Sequence, residues 1–134
     1  MIVVDASVLA NVIGDDGPDG KRARTEVLSA GELAAPDLVD VETVAVFRKR
    51  WLAGTISQRR FATAVEDLDK ISIDRYPTLP LMRRAFDLRA TVTAYDAAYV
   101  ALAEALDCEL LTGDARLAKA PGPKCVIRLL VPME

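Results

Sequence analysis

The stretch Ile2-Val3-Val4-Asp5-Ala6-Ser7 decides the predicted fold, because a β-branched run ends at an acid and leads into an apolar segment. The run does not alternate with polar residues, which is typical of a central parallel strand that is buried on both faces. Residues 8–13 are mostly apolar, and they predict a first helix with Ser7 as its N-cap. A strand followed directly by a helix is the repeating unit of an α/β fold.

The same alternation of short strands and helices continues along the chain. A loop is predicted at residues 14–20, where Gly, Pro and Asp are concentrated, and Asp37 is predicted to cap the third helix with Asp40 completing a capping box. Ser57 is predicted to cap the fourth helix. The predicted strands are 2–4, 33–36, 71–74, 108–111 and 126–131, and the predicted helices are 8–13, 21–30, 38–53, 58–70, 81–91, 95–106 and 114–120. This order predicts a three-layer α/β fold with a mainly parallel sheet, formed as a single domain over residues 1–134.

Composition limits the chemistry that the chain can perform. The 134 residues include no histidine, which excludes Ser-His-Asp and Cys-His triads, His-ligated zinc sites and histidine acid–base catalysis. The net charge of −3 argues against binding nucleic acid through bulk charge. No apolar run approaches the roughly 20 residues of a membrane span, so we expect a cytoplasmic protein with no membrane partner. Cys108 and Cys125 are expected to be buried thiols.

Four acids are predicted at or near the amino ends of helices. Asp5 ends the first strand, Asp114 follows the fourth strand, Asp96 lies in the first turn of its helix and Glu42 in the second turn of its own. Each acid alone has an ordinary structural explanation, since Asp5 could form a turn, Asp96 and Asp114 could be N-caps, and Glu42 could complement a helix dipole.

Taken together, the four acids predict a site for a hard cation. Ligands of open parallel sheets bind beyond the carboxyl ends of the strands, which is where these acids are expected. Among Asp5, Asp96 and Asp114, only Asp114 has a basic residue within two positions, Arg116. Carboxylate oxygens select Mg²⁺ or Mn²⁺, and Mg²⁺ bridges to phosphate, so the expected substrate is a phosphoester.

Segments of the sequence resemble the PIN domain and, within it, the VapC toxins of bacterial toxin–antitoxin pairs. These segments are Ile2-Val-Val-Asp-Ala-Ser-Val-Leu9, Ala35-Pro36 with Glu42 six residues on, Tyr95-Asp-Ala-Ala-Tyr-Val-Ala-Leu-Ala-Glu-Ala-Leu106, and Leu110-Leu-Thr-Gly-Asp114. The resemblance implies a PIN-like three-layer α/β/α sandwich with a mainly parallel central sheet. It also implies a metal-dependent endoribonuclease that uses Mg²⁺, for which Mn²⁺ can substitute, that forms a homodimer, and that a VapB-like antitoxin inhibits.

The resemblance also assigns roles to individual residues. It implies that Asp5, Glu42, Asp96 and Asp114 are catalytic, that Asp5, Asp96 and Asp114 hold the metal, and that Glu42 orients the attacking water or binds a second ion. Ser7 and Thr112 are implied as supporting hydroxyls. Arg116 stands near the position where many relatives carry a further acid, so we expect one well-occupied ion in the absence of RNA.

Other interpretations of the sequence remain open. The chain could be a PIN-like ribonuclease of RNA maturation, a non-catalytic PIN-like module that binds RNA or protein, or a receiver-type signalling domain with an acidic Mg²⁺ pocket. Trp51 could belong to the core or to a partner surface. Basic residues form either solvated helix faces or RNA contacts in four clusters: Lys21-Arg22-x-Arg24, Arg48-Lys49-Arg50, Arg59-Arg60, and Arg83-Arg84 with Arg89.

Overall fold

A five-stranded parallel sheet forms the centre of the computed structural model, which describes residues 1–131. Its strands are β1 (Ile2–Val4), β2 (Leu33–Pro36), β3 (Asp74–Tyr76), β4 (Glu109–Thr112) and β5 (Ile127–Leu129). The strand order is β3-β2-β1-β4-β5, and every neighbouring pair is parallel. The predicted parallel sheet with a central first strand is confirmed. A receiver-type domain has the order 2-1-3-4-5, so this alternative is excluded.

Helices cover both faces of the sheet. They are α1 (Ala6–Gly14), α2 (Pro18–Ala30), α3 (Leu38–Leu52), α4 (Gln58–Lys70), α5 (Met82–Asp87), α6 (Ala94–Leu106) and α7 (Ala115–Lys119), with a 3-10 turn at Leu79–Leu81. Helix α1 packs against α2, α3 and α4, whereas α6 packs against α5 and lies on β1, β2 and β4. Right-handed crossovers between parallel strands place the first four helices on one face and α5 and α6 on the other. The three-layer prediction is therefore confirmed.

Strand β1 is buried on both faces, as its β-branched sequence predicts. Val3 and Val4 have no exposed surface, and neither do Leu110 and Leu111 on the neighbouring β4. The largest fully buried side chain is Tyr99 of α6, which is 1% exposed. No helix among residues 1–131 is both long and apolar enough to cross a membrane.

The prediction that Ser7 caps α1 is wrong, because Asp5 is the N-cap. Asp5 has an extended backbone, and its carboxylate accepts a hydrogen bond from the backbone N–H of Val8 at 3.0 Å. The helix therefore begins at Ala6, directly after β1. Ser7 lies in its first turn, where the hydroxyl donates to Asp5 Oδ1 at 2.8 Å.

The predicted capping box at the start of α3 is also wrong. Asp37 has helical backbone angles and makes no capping hydrogen bond. Its Oδ1 instead accepts from the hydroxyl of Thr78 at 2.6 Å, and Asp40 forms an ion pair with Arg75 at 2.8 Å. Contacts with the chain around β3 thus displace the local caps. The predicted cap of α4 is confirmed, since Ser57 accepts from the N–H of Arg60 at 3.0 Å.

The loop between α1 and α2 is shorter than predicted. Helix α1 extends to Gly14 and α2 begins at Pro18, a residue that is favoured in the first helical turn. Asp15 closes the loop by accepting hydrogen bonds from the backbone N–H groups of Gly17 and Gly20. A Cβ at Gly20 would lie 1.9 Å from the carbonyl oxygen of Asp15, so this closure requires glycine.

The strand predicted at 71–74 is displaced to Asp74–Tyr76, because the pairing with β2 sets the register at Ala34 with Asp74. The helix predicted at 81–91 ends at Asp87. Beyond this end, the hydroxyl of Thr91 donates to Pro121 O at 2.7 Å, and Thr93 caps α6. Strand β4 begins one residue later than predicted, and β5 is limited to Ile127–Leu129.

Thr43 of α3 offers a test of the core. Its side chain is fully buried, and its hydroxyl has no hydrogen-bond partner among the described residues. An unsatisfied buried hydroxyl destabilises the folded state, so we expect Thr43→Val to raise the free energy of unfolding by about 1 kcal/mol. Urea denaturation measures the change. Thr43→Ser, which keeps the hydroxyl and loses a methyl group, should be less stable than the wild type; a less stable valine variant would contradict the packing described.

Candidate active site

The predicted acids meet at the carboxyl edge of the sheet. The chain leaves β1 toward β2 on one side, and it later returns to place β4 on the other side of β1. The crevice between β1 and β4 is therefore the topological switch point of the sheet, the position at which such folds bind ligands. Asp5 directly follows β1, and Thr112 ends β4.

Asp5 lies at the base of this crevice, where its side chain is fixed by three donors. The residue is 8% exposed. Its Oδ1 accepts from the Ser7 hydroxyl and from the Val8 N–H, and its Oδ2 accepts a short hydrogen bond from the Thr112 hydroxyl. The two hydroxyl residues implied as supporting groups thus both contact Asp5.

Thr112 also connects Asp5 to Asp114. Its Oγ1 accepts from the backbone N–H of Asp114 at 3.0 Å while its hydroxyl donates to Asp5. Asp114 caps α7, since its Oδ1 accepts from the N–H of Arg116 at 2.8 Å. Asp114 is therefore an N-cap, as one explanation predicted, and it also lies beside Asp5.

Capping does not explain Asp96, because Thr93 is the N-cap of α6. Asp96 lies in the first turn of α6, half-buried, and it lines a cavity of about 190 Å³ together with Asp114, Thr93 and Arg116. The carboxylates of Asp96 and Asp114 thus face one opening.

Sequence reasoning missed Tyr99, which positions Glu42. The Tyr99 hydroxyl donates to Glu42 Oε1 at 2.6 Å and joins α6 to α3. Tyr99 follows Asp96 by three residues, a spacing that puts both on one side of a helix, so the sequence did contain a signal for it. From the sequence alone, the aromatic ring is expected to be an ordinary core side chain. Only the hydrogen bond from its hydroxyl to Glu42 shows that it belongs to the site.

Burial and repulsion between acids raise the pKa values of Asp5, Glu42 and Asp96. Burial raises the pKa of Asp5 most strongly; its three hydrogen bonds act in the opposite direction, and Asp114 raises it further. Burial likewise raises the pKa of Glu42, which the Tyr99 hydrogen bond lowers and the charges of Asp96 and Asp5 raise.

The same causes act on Asp96. Burial raises its pKa most, followed by the charges of Asp114 and Asp5. Thr93 and Arg116 lower it, with Arg116 having the smallest effect. The larger charge effects on Asp5, Glu42 and Asp96 thus come from other carboxylates, and the cation Arg116 has only a small effect on Asp96. The carboxylates therefore face one another with little compensating positive charge.

The donors fit a hard divalent cation, although the described side chains do not form a closed cage. Within residues 1–131, no group of three or more acidic or cysteine side chains is arranged to hold a metal ion. Asp5 and Glu42 are instead engaged by the hydroxyl groups of Thr112 and Tyr99. Oxygen donors with raised pKa values and little nearby positive charge suit Mg²⁺ or Mn²⁺. The assignment of these residues as metal ligands stays a prediction.

Arg116 lies at the opening of the site. Its side chain is 95% exposed, and its Nε is 3.9 Å from Asp114 Oδ1. It is thus a positive charge beside the acids that solvent reaches freely. An exposed pair at this distance contributes little to stability.

Each predicted basic cluster supplies at least one arginine to internal contacts. Arg24 donates to the carbonyls of Val12 and Asp15, Arg50 to Asn11 Oδ1, and Arg60 to Ile13 O and to Asp16. These three arginines come from α2, α3 and α4 and converge on the carboxyl end of α1.

In the fourth cluster, Arg84 pairs with Glu104 at 2.8 Å and Arg89 covers the ring of Phe86. The solvated-face interpretation is therefore incomplete, because these arginines are structural. Trp51 is 42% exposed and lies beside Phe61, at the edge of the core.

Comparisons with known proteins show the family to which the chain is similar. A family model described as the PIN domain matches residues 2–123. "Ribonuclease VapC1" of Mycobacterium tuberculosis is 40% identical over 129 residues, which cover 96% of this chain and 96% of that protein. The crystal structure of Mycobacterium tuberculosis VapC20, described as a toxin that cleaves the sarcin-ricin loop, superposes with a TM-score of 0.67 at 16% identity and covers 88% of this chain and 93% of its own.

A second solved structure shows the same fold. VapBC2 from Rickettsia felis, bound to a DNA fragment from its promoter, gives a TM-score of 0.65 at 14% identity and covers 96% of this chain and 98% of its own. At these identities, the structural similarity concerns the fold alone.

The raised pKa values predict how the metal-free protein responds to pH. The carboxylates of Asp5, Glu42 and Asp96 have higher pKa values in the folded protein than the ordinary values, which are 3.8 for Asp and 4.5 for Glu. Their contribution to stability is fully present below those values and is lost as pH rises through the folded pKa values. We expect Asp96→Asn, measured by urea denaturation in EDTA, to match the wild type near pH 4 and to be as stable or more stable at pH 8.

An exposed acid provides the control for this comparison. Asp69→Asn on α4 removes a charge far from the crevice and should leave the pH dependence unchanged. An Asp96→Asn protein that is clearly less stable than the wild type at pH 8 would show that Asp96 acts through the helix dipole and is not strained by its acidic neighbours.

Proposed function

Because the chain belongs to the PIN domain family and, within it, to the VapC ribonucleases, we propose that it is an endoribonuclease that depends on Mg²⁺ or Mn²⁺ and acts as the toxin of a VapBC-type pair. The observation that carries the proposal is the group formed by Asp5, Glu42, Asp96 and Asp114 at the switch point of the sheet. Three of these carboxylates have raised pKa values, which burial and one another's charges explain.

Asp5, Asp96 and Asp114 are the residues that would hold the ion. Asp5 is immobilised by three hydrogen bonds, whereas Asp96 and Asp114 line the opening from the side of α6 and α7. When bound, the divalent ion supplies Lewis-acid activation of the phosphodiester and of the attacking water. Ser7 and Thr112 keep the Asp5 carboxylate oriented toward the crevice.

Glu42 has the properties of a group that receives a proton from the attacking water. Its Oε1 is held by Tyr99, which leaves Oε2 free of hydrogen-bonded partners within the described chain. Burial raises its pKa toward the working pH, and a base is most effective when its pKa lies near that pH. Attack by water needs no 2′-hydroxyl nucleophile, so no cyclic phosphate forms, and departure of the 3′-oxygen gives products with a 5′-phosphate and a 3′-hydroxyl.

The partners follow from the same charge distribution. Arg116 at the opening can contact a phosphate of the RNA, which the acidic base of the crevice would otherwise repel. A VapB-like antitoxin would place an arginine or lysine among the carboxylates, because buried anions attract a guanidinium when no metal is bound. We further propose a homodimer that acts in the cytoplasm.

Cleavage should depend on both the divalent ion and the acids. We expect the purified protein to cut RNA in Mg²⁺ or Mn²⁺ and to stop in EDTA, and Asp96→Asn to lower the cleavage rate by roughly 100-fold or more. Gel analysis of end-labelled RNA measures the rate, and the chemistry of the new ends identifies the 5′-phosphate. Mn²⁺ should also raise the melting temperature of the wild type, since an ion at ten times its Kd adds about 1.4 kcal/mol.

The control is Asp69→Asn on α4, which removes the same charge as Asp96→Asn but outside the site. This variant should cleave RNA at the wild-type rate. The mechanism is wrong if cleavage survives EDTA, or if Asp96→Asn still cuts RNA and shows the wild-type Mn²⁺ shift.

Tyr99 should set the acidic limb of the pH–rate profile. The Tyr99 hydroxyl lowers the pKa of Glu42, so Tyr99→Phe is expected to raise that pKa and to move the acidic limb of cleavage to higher pH. Cleavage rates between pH 5 and 9 measure the shift. Tyr76→Phe, which removes a hydroxyl from β3, should keep the wild-type profile. A Tyr99→Phe profile that falls at every pH without shifting would assign Tyr99 a packing role only.

A further inference from the structure

The two cysteines lie together at the edge of the sheet opposite the acids. Cys108 precedes β4 and Cys125 precedes β5, so both are at the amino ends of their strands. They line one cavity of about 400 Å³, together with Glu104, Lys124 and Val126. Both thiols are free and half-buried, so small reagents in solvent can reach them. The proposed ribonuclease activity makes no use of this cavity.

The strand register brings the two cysteines to neighbouring positions along the chain ends of β4 and β5. Leu110 of β4 pairs with Ile127 of β5, and each cysteine lies two residues before its paired neighbour. Continuing this register by two residues places Cys108 beside Cys125, just before the two strands begin. The backbone N–H of Leu110 donates to Val126 O at 3.0 Å, which holds the two chains side by side next to the cysteines.

The surroundings of the thiols agree with this placement. Burial raises the pKa of Cys125 most, then the Glu104 carboxylate, and the Cys108 thiol raises it slightly further. Burial likewise raises the pKa of Cys108. Both groups are therefore protonated thiols at neutral pH, which suits a pair that reacts with an added oxidant more slowly than a catalytic cysteine does.

The spacing of parallel chains suits a covalent link at this position. Neighbouring strands are about 4.7–4.9 Å apart, and disulfides join Cα atoms that are about 4.4–6.8 Å apart. We propose that Cys108 and Cys125 are an oxidation site that closes to an intrachain disulfide when the protein meets a hydroperoxide or a low-molecular-weight disulfide. Two S–H bonds break and one S–S bond forms. The two electrons and two protons reduce a peroxide to water and alcohol, or a small disulfide to two thiols.

The link would close a loop that carries part of the proposed active site. Residues 109–124 lie between the cysteines and include Thr112, Asp114 and α7. Closing this loop restricts the unfolded chain and stabilises the folded one. The carboxylates are at the far edge of the sheet, so the disulfide leaves their arrangement unchanged.

Oxidised glutathione, applied to the full chain, tests the proposal. We expect the wild type to lose both titratable thiols, and the intact mass to fall by two hydrogens without a glutathione adduct. A tryptic peptide pair should link Cys108 to Cys125, and dithiothreitol should reverse the change. The melting temperature of the oxidised protein should rise by roughly 5 to 10 °C.

Cys108→Ser and Cys125→Ser are the matched controls. Each keeps one thiol, so the same treatment should give a glutathione adduct or no reaction, and no rise in melting temperature. Wild-type protein that carries two glutathione adducts, that links only to a second copy of the chain, or that keeps both thiols after prolonged treatment at pH 8 would overturn the proposal. Because none of these measurements involves RNA, their outcome is separate from that of the ribonuclease proposal.

Discussion

The hydrogen bond from the Thr112 hydroxyl to the Asp5 carboxylate is the contact on which the rest of the site depends. It joins the ends of β1 and β4, the two strands between which the sheet reverses its order. Asp5 also caps α1, and Thr112 accepts the N–H of Asp114, so one pair of side chains sets the start of two helices. Asp114 is therefore placed directly by this pair.

The site concentrates buried negative charge that does little to stabilise the folded state. Asp5 is almost fully buried, and Glu42 and Asp96 are half-buried, yet the charges that shift their pKa values most are those of the other carboxylates. A core of the same shape without these charges would be easier to stabilise. Hydroxyl donors from Ser7, Thr112 and Tyr99 replace part of the lost solvation, and they do so without neutralising the carboxylates. The arrangement keeps the anions available for an external cation.

The sequence predicted most of what depends on local pattern. Strand β1, the cap at Ser57 and the placement of Asp5, Asp96 and Asp114 follow from runs and spacings of neighbouring residues. The error at Asp37 occurred because a distant partner competes with a local one, whereas the error at Ser7 was a choice between two neighbouring caps.

Asp37 resembles an N-cap in sequence but binds Thr78, which is 41 residues away. Ser7 has the right chemistry for a cap, but Asp5 reaches the helix N–H first. Tyr99 was missed because its function depends on a hydroxyl contact with α3 that no periodicity can show.

Helix α1 is held at both ends by side chains, and three of these belong to Arg24, Arg50 and Arg60. Their guanidinium groups bind the carboxyl end of the helix, where its dipole is negative, while Asp5 secures the amino end. Helix α1 therefore cannot slide along its axis, and Asp5 and Ser7 at its amino end form a rigid wall of the crevice. The facing wall is built on α7, a helix of only five residues, and on the first turn of α6. Adjustment to ligands of different size must therefore come from the α6 and α7 side.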